Sequence, residues 1–242
     1  MPKLDVWGIT DVGAVRENNE DAWLVDPSLG VAIIADGMGG AACGEVASAL
    51  TIETVIAYLR NPLESLPPEL LVKEAIRAAN QRVLEHARRE PNCDGMGSTI
   101  VAALWTLPEV VIANVGDSRA YVWRDGELAQ LSYDQTLANE LRRTLGLTPE
   151  QMSNSGHTNV LTMAVGTGED VLVHTRTETL APDDQILLCS DGLYGPIGDA
   201  AIAEILAEGC TLPETVAKLV ERAKAAQSED NITAVLLRYI GN

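Results

Sequence analysis

The chain has 242 residues, 46% of them hydrophobic, with no Phe, so it can bury one large or two small aliphatic cores. A net charge of −18 excludes nucleic acid as a partner and disfavours anionic membrane surfaces. No apolar run approaches the roughly 18–20 residues of a membrane helix, and the acidic start (Asp5, Asp11, Glu17, Glu20, Asp21) argues against a signal peptide.

In chain order, residues 4–9 and 22–26 read as short strands and 31–35 as a buried central strand. From Glu45 to Leu59 the period becomes helical, with Val46, Ala49, Ile52, Ile56 and Leu59 on one face. The breaker NPLESLPP at 61–68 precedes a second helix. Its buried side carries Val72, Ile76, Ala79, Val83 and Ala87, and it ends before Pro91. Strands follow at 98–105, 109–115, 119–124 and 127–132, with Asp125-Gly126 as a type I′ hairpin turn. Residues 135–156 are polar and partly helical, an insertion rather than core. Strands at 159–165, 171–178 and 185–190 lead to helices at 199–208 and 213–226, the second started by Pro213, and to a last strand at 231–239. Hairpin-linked strands make antiparallel sheets. Two such sheets covered by an early and a late helix pair bury every apolar face, so the fold class is α+β, in four layers, and residues 1–242 form one domain. The four cysteines, at 43, 93, 189 and 210, show no C-x-x-C spacing, which predicts neither a disulfide framework nor a zinc site and fits a reducing cytoplasm.

Acids recur where apolar strands end. Asp36-Gly37 follows VAIIA, Asp191-Gly192 follows ILLCS, Asp117 follows the strand ending in NVG, and Asp230-Asn231 precedes ITAVLL. The stretch TDVGAVRENNED at 10–21 adds Arg16, Glu20 and Asp21. One Asp-Gly alone reads as a turn, as at Asp125. Repetition at strand ends implies carboxylates gathered at one place, where a pair about 4 Å apart costs roughly 4 kcal/mol at an effective dielectric of 20. Such a cluster requires cations. Oxygen ligands with few histidines select hard ions, Mg²⁺ or Mn²⁺. An arginine beside them reads as a salt bridge or as a bidentate partner for a phosphoryl group.

On six ordered blocks the chain resembles the metal-dependent Ser/Thr protein phosphatases of the 2C type, in their compact bacterial form. The blocks are TDVGAVRENNED, ADGMGG…GE, MGSTIVAAL, NVGDSRAYVWRDGEL, LLCSDGL and EDNITAVLL, and they span nearly the whole length. The resemblance implies an α/β/β/α sandwich and two Mn²⁺ or Mg²⁺ ions in a cleft. Asp36 would bridge both ions, the Gly37 carbonyl would bind the second, and Asp191 and Asp230 would complete the first. Asp21 would act through water, with Glu20 beside it. Asp117 would help to hold a weaker third ion, and Arg16 would bind phosphate. Water bridging the ions would attack phosphorus in phosphoserine or phosphothreonine, with Asp36 and Arg16 as the catalytic pair. Also implied are phosphorylated proteins as substrates, a cognate eukaryotic-like Ser/Thr kinase, a monomeric state, a cytoplasmic location, and a flap at about 135–160.

The chain departs from the family pattern at two histidine positions, Ala41 and Gln135. The first would be the family's proposed general acid, so a water is expected to protonate the leaving group here. His86 reads as a helix-surface residue and His174 as a strand residue, while His157 lies near the end of the 135–156 insertion. A catalytically weak or inactive pseudophosphatase that binds phosphoproteins or a kinase is the alternative. Other hydrolase classes fail on residues. No cysteine is followed by the arginine of C-x₅-R, Ser118 has no histidine partner, and GMGG lacks the Gly-Lys-Ser/Thr of a P-loop.

Overall fold

The apolar runs pair into two antiparallel sheets in a computed structural model that describes residues 3–39, 43–146 and 160–241. One sheet takes β1 (Lys3–Asp11), β11 (Ile232–Gly241), β10 (Gln185–Cys189), β7 (Arg119–Arg124) and β8 (Glu127–Gln130), in that order. The other takes β2 (Asp21–Asp26), β3 (Val31–Met38), β5 (Ile100–Thr106), β6 (Glu109–Val115) and β9 (His174–Thr179), and the short β4 (Gly97–Ser98) pairs with the end of β3. Helices α1 (Gly44–Arg60) and α2 (Pro68–Arg89) cover the second sheet. Helix α3 (Leu137–Leu145) follows β8, and α4 (Asp191–Ala207) and α5 (Leu212–Ala225) cover the first sheet.

Continuous apolar strands are what a four-layer sandwich demands, because both faces of each inner strand are covered. In β3, Val31, Ile33 and Ala35 face the α1–α2 layer while Ala32 and Ile34 face the other sheet. In β11, Ile232, Ala234 and Leu236 face α4 and α5 while Val235, Leu237 and Tyr239 fill the space between the sheets. The expected α/β/β/α architecture is therefore the observed one.

Several expectations are corrected. Residues 160–165 are not a strand but make two isolated bridges, Thr136 to Leu161 and Ser98 to Val165. The next strand begins at His174, because Val171 and Val173 are drawn into the core beside α2. Helix α4 begins at Asp191 rather than at 199, and its regular geometry breaks at Gly198, where φ is 71°. Ile52, Ile56 and Leu59 are buried on α1 as expected, but Ala49 is exposed and the buried stripe also takes in Ala47, Ser48, Thr51 and Val55. The polar members are satisfied there: the Thr51 hydroxyl donates to the Ala47 carbonyl (2.7 Å) and the Ser48 hydroxyl to the Glu20 carbonyl (2.6 Å). Cys43 and Cys93 form a disulfide, against the sequence expectation. They are 50 residues apart, so no local spacing announces them, but α1 and α2 pack as a hairpin that brings the residue before α1 to the turn after α2. His86 is half-buried rather than on the open surface.

Candidate active site

The acids converge at one edge of the sandwich because the strands that carry them end there. Asp21 at the start of β2 stands directly opposite Asp36 near the end of β3 in the ladder register. On the other sheet, β10 runs into Asp191 and β11 starts just after Asp230, while Asp117 lies where the chain crosses between the sheets, from β6 to β7. Ser190 and Thr233 tie the two sheets together. Their hydroxyls both donate to Asp21 Oδ2, at 2.8 and 2.5 Å.

Glycine is required where backbones meet. A Cβ on Gly37 would lie 2.0 Å from the Gly44 carbonyl oxygen, and one on Gly192 would lie 2.0 Å from the Asn231 carbonyl oxygen. Helix α1 thus starts against the Asp36-Gly37 corner, and the Glu20 carboxylate sits over Gly44 at the α1 N-terminus, where backbone N–H groups favour negative charge. The Asp36 N–H donates to Thr99 Oγ1 (3.1 Å), and the Thr99 N–H donates to the Asp36 carbonyl (2.8 Å). Thr99 Oγ1 is also 2.6 Å from the fully buried Ser118 hydroxyl, which leaves Ser118 in a structural role.

The electrostatics are those of an unneutralised anionic cluster. Asp36 is held well above the usual carboxylate range, first by loss of water and then by Asp21, Asp191, Asp230 and Asp117. Burial pushes Asp21 up to about 6, with the Thr233 and Ser190 hydroxyls pulling it down. Burial, then the nearby Asp191 and Asp134, pushes Asp117 up to about 7. Asp191 and Glu20 are raised for the same leading reason. Arg16 is the positive complement: its Nη2 donates to Asp230 Oδ2 (2.8 Å) and its Nε to the Glu229 carbonyl (3.3 Å). Arg16, Glu20, Asp36, Asp117, Asp191 and Asp230 line a cavity of about 370 Å³ with Gly37, Met38, Gly39, Thr99 and Leu161.

The residues present fit hard divalent cations. Asp21 Oδ1 and Asp191 Oδ1 are buried without a hydrogen-bond partner, the lone-pair deficit that a cation relieves. Among the described residues, no three acidic, histidine or cysteine side chains form a ready-made cage. The fit therefore rests on those two oxygens and on the mutual charge of the acids.

All eight residues singled out from sequence (Arg16, Glu20, Asp21, Asp36, Gly37, Asp117, Asp191, Asp230) come to this edge, seven of them lining the cavity and Asp21 lying behind it, opposite Asp36. Sequence reasoning passed over the residues that hold them. Asn231 is the chief of these. Its Oδ1 accepts from the Glu20 N–H (2.8 Å) and its Nδ2 donates to the Val12 and Asn18 carbonyls (both 2.9 Å). Its place beside Asp230 was the only available signal. Gln135 is buried and structural, its Oε1 accepting from the Gly116 N–H and its Nε2 donating to the Leu172 carbonyl, both at 2.8 Å. His174 is a strand residue and packs on Tyr133, 4.6 Å between ring centres. Ala41 and His157 lie outside the described residues.

Comparison with known proteins agrees with this geometry. The family model for protein phosphatase 2C matches residues 14–236. The serine/threonine phosphatase stp of Listeria innocua is 35% identical over 234 residues, covering 94% of this chain and 93% of that protein. The crystal structure of the Mycobacterium tuberculosis serine/threonine phosphatase PstP/Ppp superimposes with a TM-score of 0.90 at 32% identity, covering 100% of both chains. The PstP catalytic domain in complex with two manganese ions gives 0.87 at 33% identity, covering 99% of this chain and 100% of that one.

Proposed function

The chain belongs to the protein phosphatase 2C family, and on that premise we propose how its own residues carry out metal-dependent hydrolysis of phosphoserine and phosphothreonine in proteins. It is a protein-serine/threonine phosphatase that works with a pair of Mn²⁺ or Mg²⁺ ions. When bound, the ions supply a water of lowered pKa and neutralise charge on the phosphoryl oxygens.

The residues that would hold the ions are Asp36, the Gly37 carbonyl, Asp191 and Asp230. Asp21, kept in place by Ser190 and Thr233, would act through water, with Glu20 beside it. Asp117 would help to hold a weaker third ion. The guanidinium of Arg16 grips two phosphoryl oxygens at the cavity mouth, where Asp230 and the Glu229 carbonyl keep it aimed. The whole chain serves as one catalytic domain; most of the flap expected at 135–160, residues 147–159, lies outside the described residues, and Leu161 just beyond it lines the cavity. A cognate Ser/Thr kinase, a monomeric enzyme and a cytoplasmic location complete the reading. Among the described residues no helix is long and apolar enough to cross a membrane.

The observation that carries this reading is the convergence of buried, mutually repelling aspartates from both sheets, two of them with an unpartnered oxygen. Intact Asp36, Asp191 and Asp230 leave the inactive, phosphoprotein-binding alternative without support. The test is manganese-dependent phosphate release from a phosphothreonine peptide. Asp36→Asn is expected to lower turnover at least ~100-fold, the scale of losing a principal charge-stabilising group. Undiminished turnover in that variant overturns the assignment.

A further inference from the structure

The Cys43–Cys93 disulfide lies outside everything the phosphatase reading uses, yet it closes onto the metal-binding corner. Residues Gly37 and Met38 pair with Ser98 and Gly97 of β4. Beyond Met38, Gly39 packs against Met96, and Cys43 follows four positions later in the sequence. The chain leaving Gly97 backward passes the tight turn in which the Met96 N–H donates to the Cys93 carbonyl (3.0 Å). The two segments meet again at the disulfide, which thereby closes a ring through the strand pair that carries Gly37. Cys43 also directly precedes Gly44, which touches both the Gly37 corner and the Glu20 carboxylate.

We propose that Cys43 and Cys93 are a reversible thiol–disulfide modification site, reduced by a dithiol, that sets the affinity of the Asp36-Gly37 corner for divalent cations. The proposal rests on the metal-dependent phosphatase reading. Disulfides in a reducing compartment are characteristically transient and regulatory rather than structural, so the proposed cytoplasmic location and the observed bond agree if the bond is reversible.

The exchange runs through the more accessible sulfur, since Cys93 is half-buried and Cys43 is 5% exposed. A thiolate of the dithiol attacks Cys93 Sγ. The S–S bond breaks, and Cys43 leaves with the electron pair and takes up a proton. The second thiolate of the reductant then attacks its own sulfur in the mixed disulfide, closes to the cyclic disulfide and releases Cys93, which is protonated in turn. Two electrons and two protons pass from the dithiol to the pair. With the crosslink gone, the corner gains freedom that cation binding must remove, so the reduced form binds more weakly.

The test titrates the metal-free full chain with Mn²⁺ alone by calorimetry. One sample is oxidised with glutathione disulfide; the other is reduced with dithiothreitol and freed of reductant under anaerobic conditions. Alkylation and mass spectrometry verify the state of Cys43 and Cys93 in each. The reduced form is expected to bind Mn²⁺ about 10-fold more weakly, and Cys93→Ser is expected to match it under both treatments. Equal affinities in verified states, even with a lowered melting temperature on reduction, overturn the proposal, as does a pair that glutathione disulfide cannot oxidise. Absence of Mn²⁺ binding in both forms overturns the phosphatase reading instead.

Discussion

Two carboxylates facing each other across a ladder destabilise a sheet, and β2 and β3 place Asp21 opposite Asp36. Hydroxyls of Ser190 and Thr233 offset the cost for only one oxygen of Asp21 and leave Oδ1 without a partner. Such an arrangement persists because something outside the protein completes it. The same residue-level reading bears on the leaving group. Gln135, at one histidine position of the family pattern, spends both ends of its amide on backbone and has no proton to transfer. With Ala41 at the other, the proposed mechanism would leave a water to protonate the departing serine or threonine oxygen. Ala41→His is then expected to raise turnover on a phosphoserine peptide by about 10-fold or more, a fraction of the roughly 10²–10⁴-fold of a well-positioned general acid. Turnover of p-nitrophenyl phosphate, whose leaving group departs without a proton, is expected to change much less. No gain on the peptide overturns the water assignment.

At the scale of elements, the cleft is assembled by the loop that joins β1 to β2 as much as by the strands. That loop carries Arg16 and Glu20, and Asn231, at the entrance to β11, pins it at three backbone groups. Asn231→Ala strands the Glu20 N–H and the Val12 and Asn18 carbonyls. Loss of stability of about 1–3 kcal/mol follows from such half-made hydrogen bonds, measured by urea unfolding. The KM for a phosphopeptide is expected to rise more than kcat falls, because Arg16 loses its aim while Asp36 and Asp191 stay in place. An unchanged KM counts against the pinning role. Element types were legible where period or turn chemistry was strong, as in α2 and in the Asp125-Gly126 hairpin, whose φ values are 52° and 86°. The acids were legible because each interrupts an apolar run at a strand end. The supports were not, since Ser190, Thr233 and Asn231 look like ordinary strand-end polar residues until the sheets bring them to Asp21 and Glu20. Likewise, apolarity alone could not tell that 160–165 would run as bridged loop, nor could spacing show that a helical hairpin would join Cys43 to Cys93.

For the whole molecule, a charge of −18 concentrated partly in one buried cluster couples folding to pH and to cations. Asp21 and Asp117 have folded pKa values raised to about 6 and about 7 from 3.8. The folded state therefore holds protons that the unfolded chain has released, and the associated stability is present below about pH 4 and lost as pH rises through 6 and 7. Each unit of raised pKa corresponds to about 1.4 kcal/mol. Surface carboxylates such as Asp26, held near 2 by Ser28 and Arg60, are ionised in both states above pH 5 and add no slope. His174, lowered by burial, works in the opposite direction across the same range. Metal-free protein in chelator is thus expected to melt at lower temperature as pH is raised from 5 to 7.5, and Asp117→Asn is expected to flatten that fall. Saturating Mn²⁺ reverses the trend, because cations and protons compete for the same oxygens and the stabilisation by bound ion grows as the protons leave. A metal-free melting temperature that stays level or rises over this interval means that the aspartates are not a buried, mutually repelling set, and the cation site loses its physical basis.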